Sequence, residues 1–305
     1  MPFVLASALI LKYVRLLKLE RYRPTKNIFC SVGIFPISDH FYEPLFNPAH
    51  LRKSLREDRH LPGIDFNVDE QLRLLGSFDY NREIETIPLE NPSGLRFYMH
   101  NGNFESGDAE YYYNLVRLIK PSKIIEIGSG FSTLVALLAI EKNMTEANRD
   151  TCEFICIEPY RADWIKGMKH ITVKESKVEE IGLETFTCLR ANDILFIDSS
   201  HMIRPQGDVL FEYLEILPTL NSGVYVHSHD IFTPKDYPDE WVLRDSKFWN
   251  EQYMLEAFLT NNASFRIVGA LNYLKHHHFT ELSSKCPVLA REPYREPGSF
   301  WFVKQ

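Results

Sequence analysis

A carboxylate and two glycines set into an apolar run, KIIEIGSGFST from Lys123 to Thr133, carry the clearest chemical meaning in the sequence. Ile124, Ile125 and Ile127 are β-branched and predict a buried parallel strand, while Phe131 to Ile140 has helical spacing. Gly128 and Gly130, on either side of Ser129, let the backbone turn tightly and let a ligand approach the start of that helix. Glu126 is costly among isoleucines unless something there satisfies it. Two more acids close later apolar runs, Glu158 after FICI and Asp198 after ILFI, and VHSHDI (Val226 to Ile231) adds His229 and Asp230.

The third position of a dinucleotide fingerprint would be glycine, and here it is Thr133; no Gly-Lys-Ser/Thr follows, which excludes a P-loop. An acid two residues before the first glycine suits a ligand with an ammonium group, which points to S-adenosylmethionine. Glu158 can accept two hydrogen bonds from a ribose diol, a feature shared with dinucleotide enzymes. Asp198 is expected near the methionine portion and the transferable methyl, and Glu179 near the adenine.

Positioning these acids requires a regular scaffold. Strands are predicted at Glu153–Glu158, Ile171–Val173, Asp193–Asp198 and Gly223–His227, separated by helical segments at Asp163–Met168, Val178–Thr185 and Gly207–Leu217. Such alternation implies a parallel, doubly wound sheet with ligands at the carboxyl ends of its strands. A helix over Ser106–Ile119 is stopped by Pro121, and Glu251–Leu259 predicts another, with Tyr253, Met254, Ala257 and Phe258 as its core stripe. Thr233 to Asn250, with Tyr237, Trp241 and Trp249, lies where an acceptor would be covered.

The 305 residues are 45% hydrophobic and 25% charged, enough for one large core and a modest extra region. A net charge of -7 argues against nucleic acid as a partner, because phosphate neutralisation needs clustered Lys and Arg. Five scattered cysteines indicate a reducing, cytoplasmic setting rather than a disulfide framework. Residues 1–22 read as an amphipathic basic helix, with Lys12, Arg15 and Lys18 at every third position, suited to peripheral contact with a membrane or to packing on the protein itself. Residues 23–105 are expected to form an N-terminal cap, with helical pieces at Pro48–Glu57 and Glu70–Leu75 and an edge strand at Leu95–His100. The main domain is expected over 106–305.

Taken in order, SGDAEYYYNLVRLIKPSKIIEIGSGFST, FICIEPY, DILFIDSSH, SGVYVHSHDIFTPKDYPDEWV and FWNEQYMLEAFL resemble the class I S-adenosylmethionine-dependent methyltransferases. Within them the sequence is most similar to the methyltransferase domain family 24 group, related to sugar and natural-product O-methyltransferases. The likeness covers about Phe104 to Val268 and implies an α/β fold: a Rossmann-like, doubly wound seven-stranded sheet, parallel with an antiparallel last strand, plus the N-terminal helical cap. The last two strands would then be Phe265–Val268 and Phe300–Val303, with 269–298 as an insertion or lid. His276, His277 and His278 within it are adjacent and cannot converge on one ion from a regular element, so a basic or aromatic loop is expected there.

The resemblance further implies cofactor contacts from Glu126, Gly128, Ser129, Gly130, Glu158, Pro159, Asp198 and Ser199, and methyl transfer to oxygen of a small hydroxylated metabolite or glycan precursor. His229 is the preferred general base, supported by Asp230 or Asp198, with His201 as the alternative base or a cofactor contact. Some related enzymes hold a divalent metal such as Mg at these strand ends. Asp198 and Asp230 could share one, although His229-Asp230 stands where two acids are expected. A nicotinamide-dependent oxidoreductase and a non-catalytic cofactor-binding scaffold are the alternatives, and self-association is left open.

Overall fold

Apolar β-branched runs bounded by glycine, proline or asparagine become the centre of the fold. The computed structural model describes all residues except 35, 41, 95, 149–151, 161–163 and 166. The strands are β1 (Lys123–Ile127), β2 (Glu153–Ile157), β3 (Ile171–Lys174), β4 (Ile194–Ile197), β5 (Tyr225–Ser228), β6 (Phe265–Ala270) and β7 (Phe300–Lys304). They form one sheet in the order β3-β2-β1-β4-β5-β7-β6, in which β1 to β5 pair in parallel and β7 runs antiparallel to both neighbours. This is the seven-stranded arrangement that the resemblance implied.

Both faces of the sheet are covered, which is why its central strands are apolar throughout. One face packs on the helices Asp108–Ile119 and Phe131–Ala147 through Leu115, Val116, Val135 and Ile140. The other carries Phe186, Val209, Tyr213, Leu217 and Leu255. The segment predicted as one helix over Gly207–Leu217 is α-helical at Asp208–Phe211, has a π turn at Glu212–Ile216, and ends as α at Leu217–Thr219. Such turns cluster at functional sites, and this one carries Tyr213, considered below.

The chain divides into two compact units, residues 55–238 with 249–305, and residues 1–54 with 239–248. The cap expected over 23–105 is therefore split. From Leu55 onward Leu75, Phe78, Ile84, Phe97, Met99 and Phe104 are buried in the same core as the sheet helices. In this stretch a helix forms at Val68–Gly76, while Pro48–His50, in the smaller unit, is one short 3-10 turn. Residues 96–100 form no strand, and Leu95 lies outside the described residues, as do 163 and 166 of the helix expected over Asp163–Met168.

The connection 269–298 is folded. It forms three short helices, Leu271–His277, Phe279–Lys285 and Pro287–Arg291, whose Leu271, Leu274, Leu282, Val288 and Leu289 are fully buried. Glu110 clamps the last of these, accepting from the backbone N–H groups of Val288 at 2.7 Å and Leu289 at 3.0 Å. His276 and His277 point to separate partners, Glu296 and Asp58.

In the smaller unit the helix Pro2–Leu16 buries none of its residues, and Arg15 pairs with Glu20 and Glu43. Among the described residues no helix is long and apolar enough to cross a membrane.

Candidate functional site

The carboxyl ends of β1, β2 and β4 open into a cleft of ≈ 550 Å³, a size suited to a nucleoside-based cofactor. Gly128, Glu158, Pro159, Glu179, Asp198 and Ser199 all line it, so six of the residues singled out in the sequence converge there. Gly128 has φ +83°, and its N–H donates to Ile157 O at 3.0 Å. Glu158 accepts from Tyr160 N–H at 2.8 Å and from the Ser129 hydroxyl at 3.4 Å, leaving acceptor capacity toward the cleft.

Glu126, Ser129 and Gly130 are not among the residues lining the cleft. Glu126 is wholly buried and accepts from the Ser132 hydroxyl at 2.5 Å and the Thr133 hydroxyl at 2.7 Å. Thr133 in turn accepts from Gly130 N–H at 3.0 Å. Here Glu126 is tied to the first turn of the following helix rather than presented to a ligand's ammonium group.

Burial pushes the Glu126 carboxyl up to about 8, against the opposing hydrogen bonds from Ser132, Thr133 and Cys156. The two hydroxyls can rotate to accept as well as donate, so the neutral acid is satisfied. A carboxyl raised in the folded state adds stability below the ordinary value of 4.5, and this is lost as pH rises through 8. Stability of the cofactor-free protein is expected to fall across that window by at most ~1.4 kcal/mol per pH unit from this group. Glu126→Gln should flatten the profile, as read by urea denaturation at each pH.

Next to the cleft lies a second cluster, and Asp198 belongs to both. His201 Nε2 is 3.4 Å from Asp198 Oδ1 and 3.5 Å from Asp230 Oδ2. His229 Nδ1 is 3.6 Å from Asp198 Oδ2 and 3.5 Å from Asp230 Oδ1. Each ring has a further acid behind it: Glu251 is 2.8 Å from His201 Nδ1, and Asp108 is 3.7 Å from His229 Nε2. Glu251 is also bonded by the Tyr213 hydroxyl at 2.9 Å. Asp108 accepts from the backbone N–H groups of Gly298 and Ser299. Burial works against charge on both rings, but Asp198 and Glu251 at His201, and Asp230 and Asp198 at His229, push both well above the ordinary histidine range. His227, stacked 3.9 Å from Phe196, is driven far below that range by burial and belongs to the core.

Sequence reasoning missed Asp108, Tyr213 and Glu251. Asp108 read as a helix start, and the other two lay in helical segments, where the signal available was a carboxylate or hydroxyl on an otherwise apolar face.

Residues 125–231 match the methyltransferase domain family, a span that runs from β1 to just past the His229-Asp230 pair. An uncharacterised protein of Archaeoglobus fulgidus is 32% identical over 174 residues, covering 53% of this chain and 76% of its own length. The chain belongs to this methyltransferase family. The donor is thus S-adenosylmethionine rather than the dinucleotide that Glu158 alone left open.

Solved structures similar to the methyltransferase include an O-methyltransferase from Bacillus cereus in complex with SAH, at TM-score 0.38 and 11% identity, covering 77% of this chain and 90% of that one. A SAM-dependent methyltransferase from Archaeoglobus fulgidus has TM-score 0.32 and 11% identity, covering 65% and 94%.

The donor set of the methyltransferase also bears on the magnesium expected at Asp198 and Asp230. Among the described residues Asp198, His201 and Asp230 form the group of His, Cys, Asp and Glu side chains whose donor atoms converge, all within 4.8 Å of one another. Magnesium favours six oxygens, and here an imidazole nitrogen occupies the central position, so this set does not fit it.

Proposed function

We propose that the methyltransferase methylates an oxygen of a small hydroxylated metabolite or glycan precursor. The observation that carries this reading is the double role of Asp198. It lines the cofactor cleft and also faces the two imidazoles, so methyl donor and proton-handling groups meet at one carboxylate.

In this arrangement Glu158 takes the ribose diol, Glu179 lies by the adenine, and the turn at Gly128 admits the cofactor to the strand ends. The methyl passes in line from the sulfonium sulfur to the acceptor oxygen. The S–CH3 bond breaks to leave a neutral thioether, the O–CH3 bond forms, and the acceptor's proton passes to His229 in its neutral form, so turnover is expected to rise with pH as that ring gives up the proton its carboxylates hold. Asp230 and Asp198 orient that ring, and their charge supports the imidazolium it becomes.

Calorimetric titration with S-adenosylhomocysteine tests the donor side. Glu158→Ala should weaken binding roughly 10- to 100-fold, the worth of hydrogen bonds to a charged group. On the acceptor side, His229→Gln should keep that binding and lower turnover by about 100-fold or more in a screen of hydroxylated acceptors. Unchanged turnover would reject His229 as the base. If wild-type protein binds S-adenosylhomocysteine and methylates none of the acceptors, the non-catalytic scaffold replaces this reading.

A further inference from the structure

Most of the large apolar side chains left exposed among the described residues lie in residues 1–54, and the helix Pro2–Leu16 carries the densest group. Phe3, Leu5, Leu9, Ile10, Tyr13 and Leu16 are each 57–85% exposed. At ~3.6 residues per turn, Leu5, Leu9, Tyr13 and Leu16 form one continuous row, and Phe3, Ile10 and Leu17 form a second beside it. On the opposite side Ser7, Leu11, Val14 and Arg15 are the helix residues that are half-buried. An exposed apolar face of this extent marks an interaction surface.

The charges around the face indicate what covers it. Lys12, Lys18, Arg21, Arg23 and Lys26 are all exposed. Glu20 is the one acid before Asp39, and it is turned inward, 15% exposed at its side chain and bonded to Arg15 at 3.0 Å. The outward charges of this stretch are therefore all positive. An apolar face edged by lysine and arginine is complementary to a membrane with anionic headgroups, where apolar side chains enter the acyl boundary and cations meet phosphate. A second copy of the chain fits less well. Paired helices bury a narrow seam, whereas this face spans two adjacent rows, and a second copy offers no exposed acid here to meet the cations.

We propose that the helix Pro2–Leu16 lies in the headgroup region of an anionic membrane, with Leu5, Leu9, Tyr13 and Leu16 toward the acyl chains and Lys12, Lys18 and Arg21 at the lipid phosphates. Its 15 residues extend about 22 Å, short of the ~30 Å hydrocarbon core, so it rests along the surface. The inference concerns the smaller unit and does not rest on the identity of the methyl acceptor. Failure to bind lipid would leave the reading of methyl transfer standing.

The full chain is sedimented with vesicles of phosphatidylcholine alone and of equal parts phosphatidylcholine and phosphatidylglycerol. Anionic vesicles are expected to bind it, and neutral ones roughly 10-fold or more weakly. Lys12→Gln with Lys18→Gln should weaken binding to the anionic vesicles roughly 25-fold, about fivefold for each charge removed. Leu9→Asp with Leu16→Asp should weaken it roughly 100-fold or more. Both variants should keep S-adenosylhomocysteine binding, which reports the fold of the larger unit. No binding to either vesicle, equal binding to both, or binding that the aspartate variant retains would each overturn the proposal. A stable dimer in sedimentation velocity without lipid, lost in the aspartate variant, would assign the face to a second copy and overturn it as well. Should a variant not fold, hydrogen exchange of the wild-type protein on anionic vesicles decides: slowed exchange across residues 2–16 supports the site, and unchanged exchange there rejects it.

Discussion

Gly128→Ala is expected to abolish measurable S-adenosylhomocysteine binding at concentrations that saturate the wild-type protein, a loss of roughly 100-fold or more, or about 2.7 kcal/mol. A Cβ at this position would stand 2.2 Å from the Asp198 backbone oxygen, and the residue's φ of +83° is one that L side chains rarely adopt. Neither neighbour can yield easily, because Asp198 N–H is bonded to Ile127 O and Gly128 N–H to Ile157 O, stitching the ends of β1, β2 and β4 together. The substitution must spread the strand ends where the cofactor lies. It should also destabilise the fold by about 3 kcal/mol, in the upper range for single changes.

Gly130→Ala is the control. A Cβ there meets nothing within 4 Å, and the backbone is extended at φ -173°, so stability should change by no more than about 0.5 kcal/mol. Thermal melts and calorimetry on both variants test the contrast. Equal effects would mean that the close approach of β1 to β4 does not control the site.

Arg117→Met carries the second large effect, here on stability alone. The guanidinium is 2% exposed at its side chain, and its Nε and Nη2 reach the two oxygens of Glu83 at 2.9 and 3.0 Å. It also donates to Asn143 and Glu146, and it lies 4.6 Å over the Tyr80 ring. Removing it leaves Glu83, partly exposed, and the buried Asn143 oxygen without their donor, and losing hydrogen bonds to a charged group in this way costs about 3 kcal/mol. The surface pair Arg266–Glu70, at 2.9 Å and with Arg266 42% exposed at its side chain, should by comparison contribute no more than about 1 kcal/mol when broken. Urea midpoints at constant m-value separate the two cases. A loss below 1 kcal/mol for Arg117→Met would show that Tyr80 and water restore what the guanidinium held.

The sheet was legible because a buried parallel strand leaves a short β-branched run closed by a turn residue, and the runs at Lys123, Glu153 and Ile194 have that form. The acids at their ends were legible for the same reason, since a carboxylate following four apolar residues marks the point where a strand meets solvent or ligand. Partnerships across long separations were not. Glu126 was visibly in need of a partner, but the sequence does not say whether a ligand or a neighbour supplies it. Ser132 and Thr133, in the first turn of the helix, were the available hint.

The helices within 269–298 were not legible for a related cause. They are too short for a periodic pattern to stand out, although Leu271, Leu274, Leu282 and Leu289 are all buried against the sheet helices. Residues 55–105 escaped similarly, because their burial depends on contacts with helices far along the chain. The pairing of His201 with Glu251 spans fifty residues, a distance over which no spacing rule operates.

The strand order also has a consequence for how the chain comes to be folded. β7 lies between β5 and β6, yet it is synthesised after both. β1 to β5 can pair as they are made, but the outer edge of β5 then stays open while roughly seventy further residues are added, several seconds of translation at ordinary rates. An unpaired edge of this kind is a template for association with other chains. Nascent protein released without residues 300–304 would keep that edge permanently, so loss of this single strand is expected to be read in cells as aggregation.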